Sequence, residues 1–370
     1  MPLVLCAARK GDKETLQKLI EGKVDMEVRD YDGSTALISA AKHGQVACVE
    51  MLIDAKADIK AISDDGWTAL MFASSQGHLA CMRLLLDAKA DVEAKTSKNY
   101  TALIFAAQDG HTKCVRLLLD ARAELEASND NDMNALLCAV SEGHSGCVQL
   151  LIDSKANLEA KDLEGWSALN IAALDGSVEL VRLLLDAKAK INTKSENGWT
   201  PLMSTTQHAD ADGVQMLIQA KADVKVKDDD GWTALMYAAQ DGLVEITEML
   251  LAAKAPIRIK DSNGWTPLML AARSGHAACS QLLIDAKAPV KVQDPDGFTA
   301  LHMTAANGMY ACVRLLLDAN AEIEAEDNGG RNALMMAAFD GHSTCVQLLI
   351  DARCRQLRKR RRGLEESPTR

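Results

Sequence analysis

Carboxylate side chains recur along the chain at one fixed position, immediately ahead of a glycine. Two carboxylates held close together could serve as a general acid and a general base. Nothing in the sequence adds a nucleophile or a pocket, and there is no Ser/His/Asp order, glycine-rich phosphate loop or Cys/His metal spacing. We therefore expect no catalytic residue, no metal ligand and no cofactor. The recurrent carboxylates are Asp109, Glu142, Asp175, Asp241 and Asp340.

The same carboxylates could instead form an acidic surface that attracts a basic peptide or protein. The chain carries a net charge of −11, and the eight basic and two acidic residues after position 352 contribute +6, so residues 1–352 carry −17. This charge argues against broad nucleic-acid or anionic-membrane binding by the body of the chain. Turn chemistry and a solvated helix face would account for the carboxylates equally well.

Aromatic residues follow a turn glycine, or the residue that replaces it, at a second fixed position. Tryptophan is among the residue types that dominate interface hot spots, so these rings could anchor a partner along the turn tips. They could also stack on neighbouring turns and hold the array together. The aromatic residues at this position are Trp67, Tyr100, Trp166, Trp199, Trp232, Trp265 and Phe298.

Seven of the ten cysteines occupy one repeated position, which Leu180 and Ile246 fill in other copies. Cysteine therefore serves there as a small apolar core residue. Packed helices lie about 8–10 Å apart, beyond the roughly 7 Å Cα separation that a disulfide tolerates. We expect reduced thiols.

All of these positions repeat every 33 residues, so a single unit organises nearly the whole chain. A stacked array of this kind lengthens without needing a larger core. Ten full copies follow a half copy and carry no insertion. The copies begin at Asp30, Ser63, Thr96, Asn129, Asp162, Ser195, Asp228, Asp261, Asp294 and Asp327.

Within a copy, an acidic turn is followed by two short helices separated by a glycine. In the copy that begins at Asp228, Thr233 is positioned to cap the first helix. Leu235, Ala238 and Ala239 then form one apolar stripe at i, i+3 and i+4. The predicted fold is all-α, a solenoid of stacked helix–turn–helix units with turn loops.

The segment Gly-Trp-Thr-Pro-Leu-Met-Leu-Ala-Ala-Arg-Ser-Gly-His at 264–276 resembles the ankyrin repeat. The resemblance extends from Leu3 to about Arg353. It implies L-shaped units in a curved array, with the first helices and turn tips on a concave, ligand-binding side. That side would carry the partner-binding residues, namely the seven turn aromatics together with Asp109, Glu142, Asp175 and Asp241.

The sequence departs from the family pattern in three ways. At the family's histidine position only His302 is a histidine, so we expect apolar contact to replace most of the hydrogen bonds that this residue provides in the family. Lysine, arginine or asparagine replaces the glycine after the second helix, where a left-handed conformation would cost about 1–2 kcal/mol for lysine. The copy at Ser195 loses the Ala-Ala-x-x-Gly-His pattern, so we expect a weak joint there.

The predicted organisation is an N-terminal capping half repeat (1–29), an array (30–352) and a basic, disordered tail (353–370). The expected function is a scaffold or adaptor, a monomer that binds a basic protein partner. Alternatives are the regulatory or recruiting arm of a larger enzyme, channel or ubiquitin-ligase assembly, and a recently expanded array with little selected specificity. No apolar run reaches the length of a membrane span, so the expected compartment is the cytoplasm. Arg358–Arg362 could act as a nuclear signal.

Overall fold

The computed structural model describes the backbone of residues 2–365 and the side chains of residues 2–358. The chain divides into two compact units, one ending at Lys190 and the other beginning at Ile191. Over the described residues every regular element is a helix, and no strand forms. The predicted all-α repeat fold is therefore confirmed.

The first unit contains the half repeat and five full helix pairs. Its helices are α1 (Leu3–Lys10), α2 (Lys13–Glu21), α3 (Ala36–Lys42), α4 (Val46–Asp54), α5 (Ala69–Ser75), α6 (Leu79–Asp87), α7 (Ala102–Gln108), α8 (Thr112–Asp120), α9 (Ala135–Ser141), α10 (Ser145–Asp153), α11 (Ala168–Leu174) and α12 (Val178–Asp186).

The second unit contains five helix pairs. Its helices are α13 (Pro201–Gln207), α14 (Ala211–Gln219), α15 (Ala234–Gln240), α16 (Val244–Ala252), α17 (Pro267–Arg273), α18 (Ala277–Asp285), α19 (Ala300–Ala306), α20 (Tyr310–Asp318), α21 (Ala333–Phe339) and α22 (Ser343–Glu365).

Within each unit the helices form two packed rows. First helices contact the first helices of adjacent repeats, as α5, α7 and α9 do, and second helices contact second helices, as α6, α8 and α10 do. The small residues Ala106 and Ala107 are fully buried between first helices, and Leu118 is buried on the second helix. Alanine permits this close approach, so the predicted apolar stripe forms the core.

Polar N-cap residues start most of the first helices. Thr101 Oγ1, for example, accepts a hydrogen bond from Ile104 N at 3.3 Å. Thr233 does not do so, contrary to the sequence prediction, and its Oγ1 is buried without a partner. Instead, Met236 N donates to the backbone carbonyl of Thr233 at 2.9 Å. The backbone carbonyl of Thr233 therefore accepts the Met236 N–H in place of the Thr233 hydroxyl.

His302 links two repeats, as the family position implies. Its Nδ1 accepts from Thr299 N at 3.1 Å, and its Nε2 lies 3.1 Å from the carbonyl oxygen of Arg331. Methionine partly replaces it elsewhere, because Met71 Sδ accepts from Thr68 N at 3.4 Å. Met269 Sδ accepts from Thr266 N in the same way, also at 3.4 Å. The sequence predicted only apolar contact at these positions.

After each second helix from α2 to α20, one residue has the left-handed conformation that a glycine in that place would have taken. Lys56 has φ 64°, its equivalents in the later repeats lie between 60° and 70°, and Lys23 of the half repeat has φ 53°. Lys56 N bonds to Ile53 O and Ala57 N to Leu52 O, both at 3.0 Å, which is the Schellman pattern. Asn99 and Asp132 replace turn glycines with φ of 60° and 56°, since both residue types tolerate positive φ.

The irregular copy at Ser195 still forms the helix pair α13 and α14. Ala209 takes the place of the break glycine with φ 54°. The hydroxyls of Thr205 and Thr206 are buried and donate to backbone carbonyls of the preceding turn, with Thr206 Oγ1 at 2.7 Å from Leu202 O. A weak joint at this copy stays a prediction.

The seven repeated cysteines are free thiols and buried in the second helices, as predicted. Burial raises the pKa of Cys81 and of Cys114 to about 11. Cys138 lies in α9 instead, and there burial, with a smaller contribution from Glu142, raises its pKa to about 12.

α22 continues to Glu365, past the end of the repeat pattern, and disorder of the tail stays a prediction. No glycine or proline interrupts α22 before Gly363, and Arg, Lys, Leu and Gln all favour helix. Arg353 Nε lies 2.6 Å from Glu324 Oε1 and ties the start of this extension to the array. Residues 366–370, and the side chains of Lys359–Arg362 in the predicted nuclear signal, lie outside the described residues.

Candidate functional site

The predicted aromatic binding residues are carried by the turns that precede the first helices. Where the turn begins with aspartate, that residue is buried or half-buried, and one of its oxygens accepts backbone N–H groups of residues up to four positions later. Asp294 Oδ1, for example, accepts from Asp296 N at 3.0 Å and from Phe298 N at 2.8 Å. Asp228 Oδ1 accepts from Trp232 N at 2.7 Å. These aspartates are structural, and they fix where the following aromatic ring leaves the backbone.

Successive turns are also joined by a backbone hydrogen bond. The second residue of one turn donates to the third residue of the preceding turn, over 2.9–3.2 Å. Pro295 occupies the donor position in its turn and has no N–H. The bonds within the two units are Asp64 N to Asp32 O, Ser97 N to Asp65 O, Asp130 N to Lys98 O, Leu163 N to Asn131 O, Asp229 N to Asn197 O, Ser262 N to Asp230 O and Asn328 N to Asp296 O.

All seven turn aromatics are half-buried, so each ring has one packed part and one solvent-facing part. In the first unit a residue from the first helix enters the space between two of them. Phe105 of α7 stacks on Trp67 with ring centroids 4.0 Å apart and on Tyr100 at 5.0 Å. Phe72 of α5 stacks on the Trp67 ring as well, at 4.5 Å.

Tyr237 of α15 makes the equivalent insertion in the second unit. Its ring centre lies 5.0 Å from those of both Trp199 and Trp232. Its hydroxyl donates to Asp228 Oδ2 at 2.6 Å. Burial raises the pKa of Tyr237, and the neighbouring Asp228 carboxylate raises it further. The ring thus fills an apolar gap while its polar end satisfies the turn carboxylate.

The next turns are arranged differently. Trp265 donates its Nε1–H to Asp294 Oδ2 at 3.1 Å, and the guanidinium of Arg273 lies 4.5 Å from its ring centre. The rings of Phe298 and His302 meet edge to face, with centroids 6.0 Å apart. A cavity of about 470 Å³ opens beside the Trp265 and Phe298 rings.

Trp166 donates its Nε1–H to the carboxylate of Glu164 in its own turn at 3.2 Å. The turn aromatics therefore do what the structural interpretation predicted, because they pack on neighbouring side chains. Their use as partner anchors stays a prediction.

The predicted acidic residues occupy one structural position. Asp109, Glu142, Asp175 and Asp241 are the C-cap residues of α7, α9, α11 and α15, and all four side chains are exposed. A negative charge at a helix C-terminus opposes the helix dipole, typically by about 0.3–1 kcal/mol. These carboxylates therefore do not stabilise the helices that present them.

Neighbouring acids of this row interact with one another. The pKa of Asp109 is raised, chiefly by the protein atoms that displace water around it although its side chain is exposed. The Glu142 carboxylate of the next repeat adds to the rise, while His111 and His144 oppose it. Asp109 and Glu142 of adjacent repeats therefore lie within one electrostatic field, while an acidic binding surface along the whole row stays a prediction.

Sequence reasoning missed the aromatic residues of the first helices, Phe72, Phe105 and Tyr237. Each lies nine positions after the start of its repeat, at 63, 96 and 228. That common offset was an available signal, because it places each ring on the first helix beside the turn. The residues at this position in the other full copies are Ser39, Cys138, Ile171, Ser204, Leu270, Met303 and Met336.

The model of ankyrin repeats matches the chain over residues 3–96, 92–162, 154–228, 206–294 and 281–359. The chain belongs to the ankyrin repeat family. No curated protein gives a sequence match. Among solved structures, the human ASB11 ankyrin repeat domain superposes with a TM-score of 0.55 and 22% identity, covering 60% of this chain and 99% of that domain. At this identity the likeness supports the ankyrin fold and says nothing of a ligand.

Two further findings bear on this ankyrin array. Among the described residues, no group of three or more His, Cys, Asp or Glu side chains is placed to hold a metal ion. Over the same residues, no helix combines the length and the apolar character needed to cross a bilayer. Ankyrin repeats are generally protein-interaction modules, which directs attention to the exposed acids and the half-buried rings.

Proposed function

We propose that this ankyrin array is a scaffold or adaptor that binds a protein or peptide with a basic surface. The observation that carries the proposal is the row of exposed carboxylates at the C-caps of first helices in three consecutive repeats, Asp109, Glu142 and Asp175. Fold stability alone favours cationic residues at helix C-termini, so these acids are present at a small energetic cost. A basic ligand that lies along the row would be attracted to these carboxylates, and this attraction would offset the cost.

Binding at such a row depends on charge complementarity, which speeds encounter and selects the partner's charge pattern. The half-buried turn rings add apolar contact area at the edge of the same surface. Aromatic residues of this kind supply most of the affinity in many interfaces. The proposed partner is therefore a basic segment with at least one large side chain, and the array itself performs no reaction.

The test replaces the three acids by their amides, as Asp109→Asn, Glu142→Gln and Asp175→Asn together. A fluorescent lysine-rich peptide is titrated at about 0.15 M and about 0.5 M salt. Exposed ion pairs contribute about 0.2–1 kcal/mol each, so the triple variant should bind about tenfold more weakly at the lower salt. The difference should shrink at the higher salt, because the charges are then screened.

The matched control makes the same change in net charge on another surface. Asp87, Asp120 and Asp186 end α6, α8 and α12 and are exposed. Their triple replacement by asparagine should leave peptide affinity within about twofold of wild type. If both triples weaken binding equally, the peptide senses only net charge and the proposed surface is wrong.

A second candidate is an arm within a larger assembly, which rests on the last helix pair. Met335 of α21 is 54% exposed, although the equivalent residue is at most 1% exposed in the nine preceding repeats. Phe339 of the same helix is 91% exposed. Another domain or subunit that covers this face would protect α21 from hydrogen exchange. Unchanged exchange in the native assembly would remove this candidate.

For location, we propose the cytoplasm, with nuclear entry through Arg358–Arg362 as the alternative. Deleting residues 358–370 from a fluorescently tagged chain distinguishes the two. An unchanged distribution would eliminate the nuclear signal.

A further inference from the structure

We propose that the cavity between Trp265 and Phe298, here called the open slot, binds a tyrosine side chain of the partner. The inference rests on the proposed protein-binding function and specifies one residue that the partner inserts. The argument comes from the spaces between successive turn aromatics elsewhere in the same chain, two of which hold an aromatic ring of the protein itself.

The filled slots show what fits between two successive turn aromatics. Phe105 lies between Trp67 and Tyr100, and Tyr237 lies between Trp199 and Trp232, with centroid distances of 4.0–5.0 Å. In both cases the inserted residue is the ninth after the start of its repeat. A planar ring at stacking distance is therefore the natural occupant of this site.

The repeat that begins at Asp294 has Met303 at that position. Met303 is 7% exposed and lines the cavity without filling it. The turn rings on either side, Trp265 and Phe298, line the remaining cavity of about 470 Å³. This volume is within the range of pockets that bury small ligands, about 300–1,000 Å³.

Pro295 removes the backbone bond that would tie these two turns together. Its ring instead lies against Gly264, where an added Cβ would come within 2.6 Å of Pro295 Cδ. The corresponding donors, Ser262 N and Asn328 N, bond to the preceding turn on either side of this junction. The open slot thus coincides with the one turn in the second unit whose donor position is proline.

The polar end of the slot selects tyrosine over phenylalanine. Asp294 is 9% exposed, lines the cavity and is the equivalent of Asp228, which accepts the Tyr237 hydroxyl at 2.6 Å. Asp294 Oδ2 already accepts from Trp265 Nε1, and a carboxylate oxygen has a second lone pair available. A phenol in the open slot would therefore donate to Asp294 as Tyr237 donates to Asp228.

Arg273 is the competing group within the molecule. Its guanidinium lies over the Trp265 ring and lines the same cavity. Its side chain is long and exposed, so it can move aside or stack on the incoming ring. Because a guanidinium already lies over Trp265, an arginine of the partner is the main alternative to tyrosine, and the test must distinguish the two.

The test uses ¹⁹F NMR of the protein labelled with 5-fluorotryptophan, which gives one resonance for each of the five tryptophans. The Trp265 resonance is identified from Trp265→Phe. The probe is N-acetyl-tyrosinamide, compared with the phenylalanine and arginine amides. We expect a saturable shift of Trp265 with the tyrosine amide, and about tenfold weaker binding of the phenylalanine amide, which lacks the donor to a charged acceptor.

Met303→Tyr fills the slot from within, as Tyr237 does, and should abolish the Trp265 shift. Ile171→Tyr introduces tyrosine at the same repeat position in the first unit and should leave the Trp265 shift unaltered. If Met303→Tyr fails to fold, Pro295→Asp provides a second variant, because it restores the N–H found at Asp64 and Asp229. We expect it to weaken binding by closing the slot.

Three outcomes would overturn the proposal. These are equal shifts with tyrosine and phenylalanine amides, stronger binding of the arginine amide, and a full Trp265 response in folded Met303→Tyr. The probe is uncharged, so the Asp109, Glu142 and Asp175 amide variant should retain the response. The slot and the acidic surface can therefore fail independently.

Discussion

The lysines that follow the second helices provide a direct test of the energetics of this array. Lys221, Lys254 and Lys287 have φ of 68°, 65° and 68°, and all three side chains are exposed. We predict that Lys→Gly at each site stabilises the second unit. The backbone there already has the conformation that glycine adopts without strain.

The magnitude follows from two opposing terms. A left-handed conformation costs a non-glycine residue about 1–2 kcal/mol. Glycine loses more conformational entropy on folding, about 0.5–1 kcal/mol relative to alanine. The expected gain is therefore about 0.5–1 kcal/mol per site, and about 1.5–3 kcal/mol for the triple variant if the sites are independent. The exposed lysine stems bury little area that could offset this gain.

The assay is urea unfolding followed by tryptophan fluorescence and circular dichroism, with the midpoint and slope compared between variants. Lys→Ala at the same sites is the matched control, because it removes the stem and keeps the strained conformation. Lys→Ala should leave the midpoint nearly unchanged or lower it slightly. If Lys→Gly and Lys→Ala have the same effect, strain is not the relevant term and the reasoning fails.

Three further predictions concern single side chains. Tyr237→Phe leaves the buried Asp228 Oδ2 without the Tyr237 donor and should destabilise the second unit by about 1.5–3 kcal/mol, measured as the free energy of unfolding; an effect near zero would show that water replaces the hydroxyl. Burial lowers the pKa of His302, so the unfolded chain binds the proton first as pH falls below about 6.5, and stability should be lost over that window. His302→Met, which introduces the residue found at Met269, should flatten this part of the pH profile in thermal unfolding. A thiol-reactive dye should label exposed Cys354 within minutes in native protein and the buried repeat cysteines only after unfolding; early labelling of Cys81 or Cys114, located by mass spectrometry, would contradict the packed core.

The regular features of this array could be predicted because one 33-residue pattern is repeated. A residue's place in the pattern predicted the helix pair, the buried cysteines and the left-handed position of Lys56. The extension of α22 could not be read in this way, because the pattern ends near Asp351 and composition alone suggested a disordered tail. Helix propensity is a weak signal, and the ion pair between Arg353 and Glu324 depends on tertiary structure.

The aromatic contacts were only half predictable. The turn position of Trp232 was visible, since it follows the turn glycine. The contact of Tyr237 with Trp232 was not visible. It forms because α15 begins at Ala234 and directs a residue five positions after Trp232 back towards the turn. The importance of Met303 appears only in comparison with Tyr237, because the tyrosine ring fills the space that stays open beside Met303.

Identical residue types also carry different roles within one repeat. Asp228 is buried and holds its turn through Trp232 N, whereas Asp241 is exposed at the end of a helix that its charge does not favour. Composition counts both as acidic surface. In an array whose fold is the same in every copy, specificity must come from positions where the copies differ or where a residue acts against local stability. The exposed C-cap acids and the junction at Pro295 satisfy these two conditions, which is why we propose them as the binding determinants.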